Sequence, residues 1–134
     1  MTQVYSRTTR KLKVTVIPEF RESLSSISQH LYVWTYNIML ENYSENVVQL
    51  ISRSWQVIDA KGLIHEISGT GVVGKQPILK PGGVFKYKSQ TKLSASSGIM
   101  LGSYKIEDKD SGELYDVVVP AFSLDNPYDL IILN

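Results

Sequence analysis

Leu31-Tyr32-Val33-Trp34-Thr35-Tyr36-Asn37-Ile38-Met39-Leu40-Glu41 is the stretch on which the fold turns. Tyr32, Trp34, Tyr36, Ile38 and Leu40 recur at every second position. Successive side chains of a β-strand point to opposite faces, so five large residues at period two make one broad core-facing strip. The other face, with Val33, Thr35, Asn37 and Met39, is mixed. A helix would need apolar residues at a period near 3.6, and this stretch lacks it.

Working outward, the same period recurs between turn signals. Upstream, Leu12, Val14 and Val16 alternate with Lys11, Lys13 and Thr15 until Pro18 interrupts. This predicts a first strand that ends or bends at a sheet edge, because proline cannot donate to a ladder. Residues 1–10 are expected to form a flexible N-terminal segment, and the serine-rich residues 22–29 a loop. Downstream, residues 42–46 supply a turn. Residues 47–59 follow as a long strand, with Ile51, Trp55 and Val57 on one face and Arg53 among them. Residues 60–62 turn the chain into a short strand at 63–67. Residues 69–83 hold five glycines with Pro77 and Pro81 and read as an extended connection. Residues 84–88, 100–106 and 114–121 alternate again, the last two joined by the turn Asp108-Lys109-Asp110-Ser111-Gly112. The tail, 125–134, ends in the apolar run Leu130 to Leu133, which is expected to pack on the sandwich or on a partner. The expectation is an all-β chain: one immunoglobulin/fibronectin type III-like β-sandwich of about seven antiparallel strands, spanning residues 1–134 as a single domain.

Composition bounds the function classes. The 134 residues carry 43% hydrophobic content, enough for one core and too much for a disordered chain. There is no cysteine, which excludes disulfides, thiolate metal sites and cysteine nucleophiles. No apolar run suits a signal sequence or a membrane span, so a cytoplasmic location with no membrane partner is expected. The net charge of +1 gives no global reason to expect nucleic acid. The charge is unevenly spread: Arg7, Arg10, Lys11 and Lys13 cluster, as do Lys75, Lys80, Lys86, Lys88 and Lys92. Residues 107–129 are strongly acidic. Lysines on an edge strand block edge-to-edge pairing, which is the simplest use for the second cluster; an anion-binding surface is the alternative.

Few motifs carry chemistry. Gly69-Thr70-Gly71-Val72-Val73-Gly74 matches G-x-G-x-x-G. Dinucleotide binding by that pattern needs a helix opening at the loop, whose first amides hold the pyrophosphate. Pro77, Pro81, Gly82 and Gly83 forbid that helix, and the acidic ribose ligand about 20 residues downstream is missing. A backbone nest of the amides around Gly69, Gly71 and Gly74 remains a candidate anion site, with Lys75 and Arg53 as counter-charges. The plainer reading of the glycines is turn geometry in a crossover. Arg53 shares its parity with Ile51 and Trp55, so it is either a snorkelling or salt-bridged structural arginine or a ligand-facing one near the glycine loop. Only His30 and His65 could serve as bases, and neither stands in a catalytic spacing. Asp108, Asp110 and Gly112 begin like a calcium loop, but Gly112 and Val119 fall where ligands are required. No catalytic residue, metal or cofactor is expected.

Five runs, taken together, are specific. They are Leu50-Ile51-Ser52-Arg53-Ser54-Trp55, residues 69–77 (GTGVVGKQP), Lys80-Pro81-Gly82-Gly83, residues 98–104 (GIMLGSY) and residues 119–124 (VPAFSL). In order and spacing they resemble the ApaG family from about Lys11 to Leu124. Ser54 stands where many members have histidine. The resemblance implies a fibronectin type III-like sandwich. Bacterial members are small stand-alone proteins without a settled biochemical activity, loosely linked to cobalt and magnesium tolerance. Similar domains in eukaryotic F-box proteins and in a polymerase-delta-interacting protein look like protein-interaction modules. The family's glycine motif has been discussed as a nucleotide or pyrophosphate site. The expectation is therefore a non-catalytic binding or interaction module with a protein partner, and a homodimer is open. The alternatives are binding of a phosphate-containing small molecule at the glycine loop and, last, a phosphoanhydride hydrolase for which no base can be named.

Overall fold

The computed structural model describes residues 3–126. It has nine strands: β1 (Tyr5–Thr9), β2 (Leu12–Phe20), β3 (Tyr32–Asn42), β4 (Val48–Asp59), β5 (Ile64–Thr70), β6 (Ile78–Leu79), β7 (Val84–Leu93), β8 (Gly98–Asp108) and β9 (Leu114–Ser123). All pairings are antiparallel. One sheet has the order β1-β2-β3-β7. The other has β5-β4-β8-β9, with β6 also on β4. The only helical pieces among the described residues are two 3-10 turns, Glu22–Leu24 and Ile27–Gln29. The architecture is the expected all-β sandwich, with two more strands than the alternation predicted.

The inner faces of both sheets make a single core. The strip Tyr32, Trp34, Tyr36, Ile38 and Leu40 is buried, facing Leu50, Trp55, Val57, Met100, Tyr104, Ile106, Val117 and Val119 from the other sheet. Trp55 stands at the centre. Its ring lies 5.8 Å from Tyr36 in one sheet, and 6.1 Å from Tyr104 and 6.2 Å from Phe122 in the other.

Three local expectations need correction. Residues 5–9 are not a loose segment: they pair with β2 from Tyr5↔Val16 to Thr9↔Leu12, through a two-residue turn in which Arg10 (φ 50°) and Lys11 (φ 66°) are both left-handed. Pro18 does not end its strand, and β2 lies between β1 and β3. The Arg21 amide donates to the Val33 carbonyl, so odd-numbered residues of β2 exchange bonds with β3. Pro18 therefore faces away from β3, beyond the point where β1 begins opposite Val16, and no ladder bond is lost. Finally, Ile51 does not share a face with Trp55. A bulge between Leu50 and Ser52 shifts the register, so Val48 and Leu50 are buried and Ile51 is half-buried. The run Leu130 to Leu133 lies outside the described residues.

The unequal charge resolves partly within the chain. Arg10, at the β1–β2 turn, forks onto Glu113 at 2.9 and 3.0 Å and sits 4.0 Å over the Tyr115 ring. That guanidinium, chiefly through its hydrogen bond, holds the Glu113 carboxyl below the usual range. The 108–112 segment is a turn and not a cation loop. Asp108 Oδ1 accepts from the Asp110 and Ser111 amides at 2.8 and 3.1 Å, and Gly112 takes φ 77°.

Candidate functional site

The two sheets approach each other closely along β1, β2 and β9. The opposite side of the sandwich is bordered by the edge strands β7 and β5. There the inward-facing side chains are incompletely covered. Phe85, Tyr87, Ser89 and Thr91 of β7 are half-buried, as is Gly69, and Ile67 is 43% exposed. This side is a mouth into the core, and Arg53 lies in it.

The glycine segment forms the mouth's upper lip. β5 runs through Thr70, so Gly69 and Thr70 belong to a strand and not to a loop. Val72 and Lys75 then exchange both backbone hydrogen bonds at 2.8 Å around Val73 (φ 43°) and Gly74 (φ 78°). Positive φ at both central residues is the geometry of a type I′ hairpin turn. Gly71, at φ 64°, leaves no room for a side chain beside the Lys75 carbonyl. Its amide donates to the Ile51 carbonyl at 2.8 Å, and Gln76 Nε2 donates to that same oxygen at 2.9 Å. The glycine pattern thus docks on the bulge of β4, with Val72 fully buried as its anchor. Among the expected anion ligands, the Gly71 amide already donates to the Ile51 carbonyl, Gly69 pairs with Arg53 in the β4–β5 ladder, Gly74 sits at the turn's tip, and the Lys75 side chain, the expected counter-charge, is exposed. An anion there would have to compete with these bonds.

Arg53 is held in place by backbone carbonyls and not by a salt bridge. Among the described residues it has no carboxylate partner. Its Nη1 donates to the Gly71 carbonyl at 2.7 Å and to the Thr70 carbonyl at 3.3 Å. Arg53 pairs with Gly69 across the ladder. A Cβ at Gly69 would lie 3.1 Å from both terminal nitrogens and 3.2 Å from the carbon between them. Glycine is therefore the platform on which the guanidinium lies.

Beside Arg53 is a group of phenols, of which the sequence singles out only Tyr36, as part of the core-facing strip. Tyr104 is fully buried, and its hydroxyl shares a hydrogen bond with that of Tyr87. Tyr36 lies next to the Ser89 hydroxyl. Burial pushes all three phenols up, most for Tyr87 and Tyr104; Arg53 partly offsets this in each. A raised folded-state pKa means that stability is complete below the unfolded value near 10 and is lost as pH climbs through it toward the folded values. We expect the urea midpoint to fall between pH ~9 and ~11, with these three of the eight tyrosines ionising only as the chain unfolds. Absorbance of tyrosinate during an alkaline titration measures this; early titration of all eight would contradict it.

Neither histidine is assembled for catalysis: His65 is exposed on β5, and His30 is exposed at a left-handed position. No group of three or more potential metal ligands occurs among the described residues. No helix there is long and apolar enough to cross a membrane.

β5 is the other feature of this side. The Asp59 amide donates to the Leu63 carbonyl, and Gly71 to Ile51, which sets the ladder's phase. The odd-numbered residues of β5 bond to β4; Ile64, Glu66 and Ser68 direct their amides and carbonyls outward, while the outward carbonyl of Thr70 accepts from Arg53. The strand carries no lysine, whereas β7 presents Lys86, Lys88 and Lys92.

Comparison with known proteins agrees with this architecture. The ApaG domain profile matches residues 22–108. Protein ApaG of Methylocella silvestris is 44% identical over 98% of this chain and 100% of its own length. Protein ApaG of Parvibaculum lavamentivorans is 46% identical over 93% of this chain and 95% of its own. Among solved structures, the putative ApaA protein from Bordetella pertussis superposes with a TM-score of 0.84 at 35% identity, covering 87% of this chain and 94% of that one. With the sandwich, the glycine hairpin on the β4 bulge and near full-length similarity all in agreement, the chain belongs to the ApaG family.

Proposed function

We propose that this chain is a non-catalytic interaction module that takes an extended segment of a protein partner along the outer edge of β5, which no other strand among the described residues covers. The observation that carries this reading is the row of outward-directed backbone groups on β5, flanked by exposed Leu63, Ile64 and Ile67. An unpaired edge is a template for one more strand, with main-chain bonds giving affinity and alternate side chains giving specificity. The other exposed edge, β7, is blunted by lysines, and β1 and β9 lie against each other. Among the described residues no hydroxyl group is bonded to a histidine, and no group of three or more potential metal ligands occurs.

The test uses Ser68→Pro. Residue 68 directs its amide outward, so proline removes one edge donor and leaves the β4 ladder whole. Cross-linking with mass spectrometry identifies the partner and locates its contacts. The expected outcome is cross-links centred on residues 63–70 and at least tenfold weaker binding by the variant, with β4 amide protection retained. Contacts centred elsewhere, or full affinity in Ser68→Pro, would reject the β5 edge.

A further inference from the structure

We propose that Arg53, and not the glycine-loop amides, forms an oxyanion site in the mouth between β5 and β7, recognising a phosphate or carboxylate group of a small ligand. This does not rest on the β5-edge reading, which concerns backbone groups on the rim of the same sheet.

The argument begins with where the guanidinium is fixed. A planar guanidinium has two edges that suit a pair of oxygens. The two hydrogens of Nη1 are taken by the Thr70 and Gly71 carbonyls. Nε and Nη2, which form the side-on edge, have no hydrogen-bond partner among the described residues. Gly69 backs the plane, so the group is stacked and oriented before any ligand arrives. Carbonyl oxygens bring partial negative charge but do not neutralise the cation, and no carboxylate among the described residues does so. Glu66, the acid of β5, bonds Gln56 at 3.2 Å on the opposite face of the sheet. An oxyanion on the Nε–Nη2 edge would therefore meet a preoriented cation without a competing acid.

The surroundings suit the same chemistry. Tyr36 and Tyr87, with Ser89, place hydroxyl groups on the β7 side of the mouth, near enough for the Arg53 charge to act on both phenols. Phe85 and Ile67 supply apolar surface at the rim. A small molecule with one anionic group and an apolar or aromatic body fits this combination: a fork for two oxygens, hydroxyl donors beside it, and rings around it.

The experiment titrates isotope-labelled protein with inorganic phosphate and, in parallel, acetate at constant ionic strength, following the Arg53 Nε–H and the amides of residues 69–71. A saturable shift at the Arg53 Nε–H from either anion is expected. Phosphate alone would identify a phosphate-bearing ligand, and acetate alone a carboxylate. R53K keeps the charge but loses the fork, and should bind about tenfold more weakly or worse, the loss of one charge-assisted hydrogen bond. K75A should bind as wild type. No saturable shift of the wild-type Nε–H with either anion would overturn the proposal, a result that does not depend on how R53K folds. Binding unchanged in R53K but lost in K75A would overturn it too, and return the site to the glycine hairpin.

Discussion

Replacing Trp55 by alanine is expected to destabilise the chain by about 3–5 kcal/mol, the range for removing a large aromatic side chain from a packed core. Trp55 is 3% exposed and touches aromatic rings in both sheets. Its edge-to-face contacts with Tyr104 (89°) and Phe122 (84°) tie β4 to β8 and β9. Its contact with Tyr36 is the bridge to β3. Each such pair adds roughly 0.5–1.5 kcal/mol beyond area burial, which places the loss toward the upper end. The neighbours cannot collapse into the space easily, because Tyr104 is tethered through its hydroxyl to Tyr87. Urea unfolding followed by Trp34 fluorescence measures the change, since Trp34 is the other tryptophan. A loss below about 1 kcal/mol would mean that this ring is not the joint between the sheets.

The difference between what was readable and what was not follows from the kind of signal each feature leaves. The strip on residues 31–41 was readable because its ten ladder partners on β7 and eight on β2 leave period two undisturbed. β1 left no such trace: Tyr-Ser-Arg-Thr-Thr has a single apolar residue, and the strand is held by β2 and by contacts with β9. Ile51 was misplaced because a bulge adds one residue without marking the sequence, and parity arithmetic fails across it. Parity did place Arg53 on the inner face, since it is counted from Trp55 on the same side of the bulge. It could not reveal that the partners would be two carbonyls and a glycine, because these come from a strand paired through long-range contacts. The G-x-G-x-x-G run left a nest and a plain turn both open for a related reason. Its turn depends on Val73 accepting a left-handed backbone, which is uncommon for a β-branched residue and invisible in a pattern of glycines.

Gly102→Ala is expected to be comparably severe, about 3 kcal/mol or more, the upper end of the range for adding a methyl to a filled core. Gly102 needs no unusual φ; what it needs is space. It pairs with Trp55 across β4 and β8, and a Cβ there would fall 2.7 Å from the indole ring and still closer to the Ser54 carbonyl. The ring covers the glycine, as aromatics do over glycines in neighbouring strands. The irregularity between Met100 and Gly102 in the β8–β9 register leaves β8 little freedom to move away. Two clashes of different kinds make a double-mutant cycle decisive. In Trp55→Ala the ring is gone, so adding Gly102→Ala should cost less than it does in the wild type. A residual cost should persist, because the Ser54 carbonyl is backbone and remains. Strict additivity would mean that the glycine answers only to the backbone of β4. Complete suppression would mean that it answers only to the ring. The intermediate result expected here would show that Gly102 is required both for the closeness of two strands and for the seating of the tryptophan that joins the sheets.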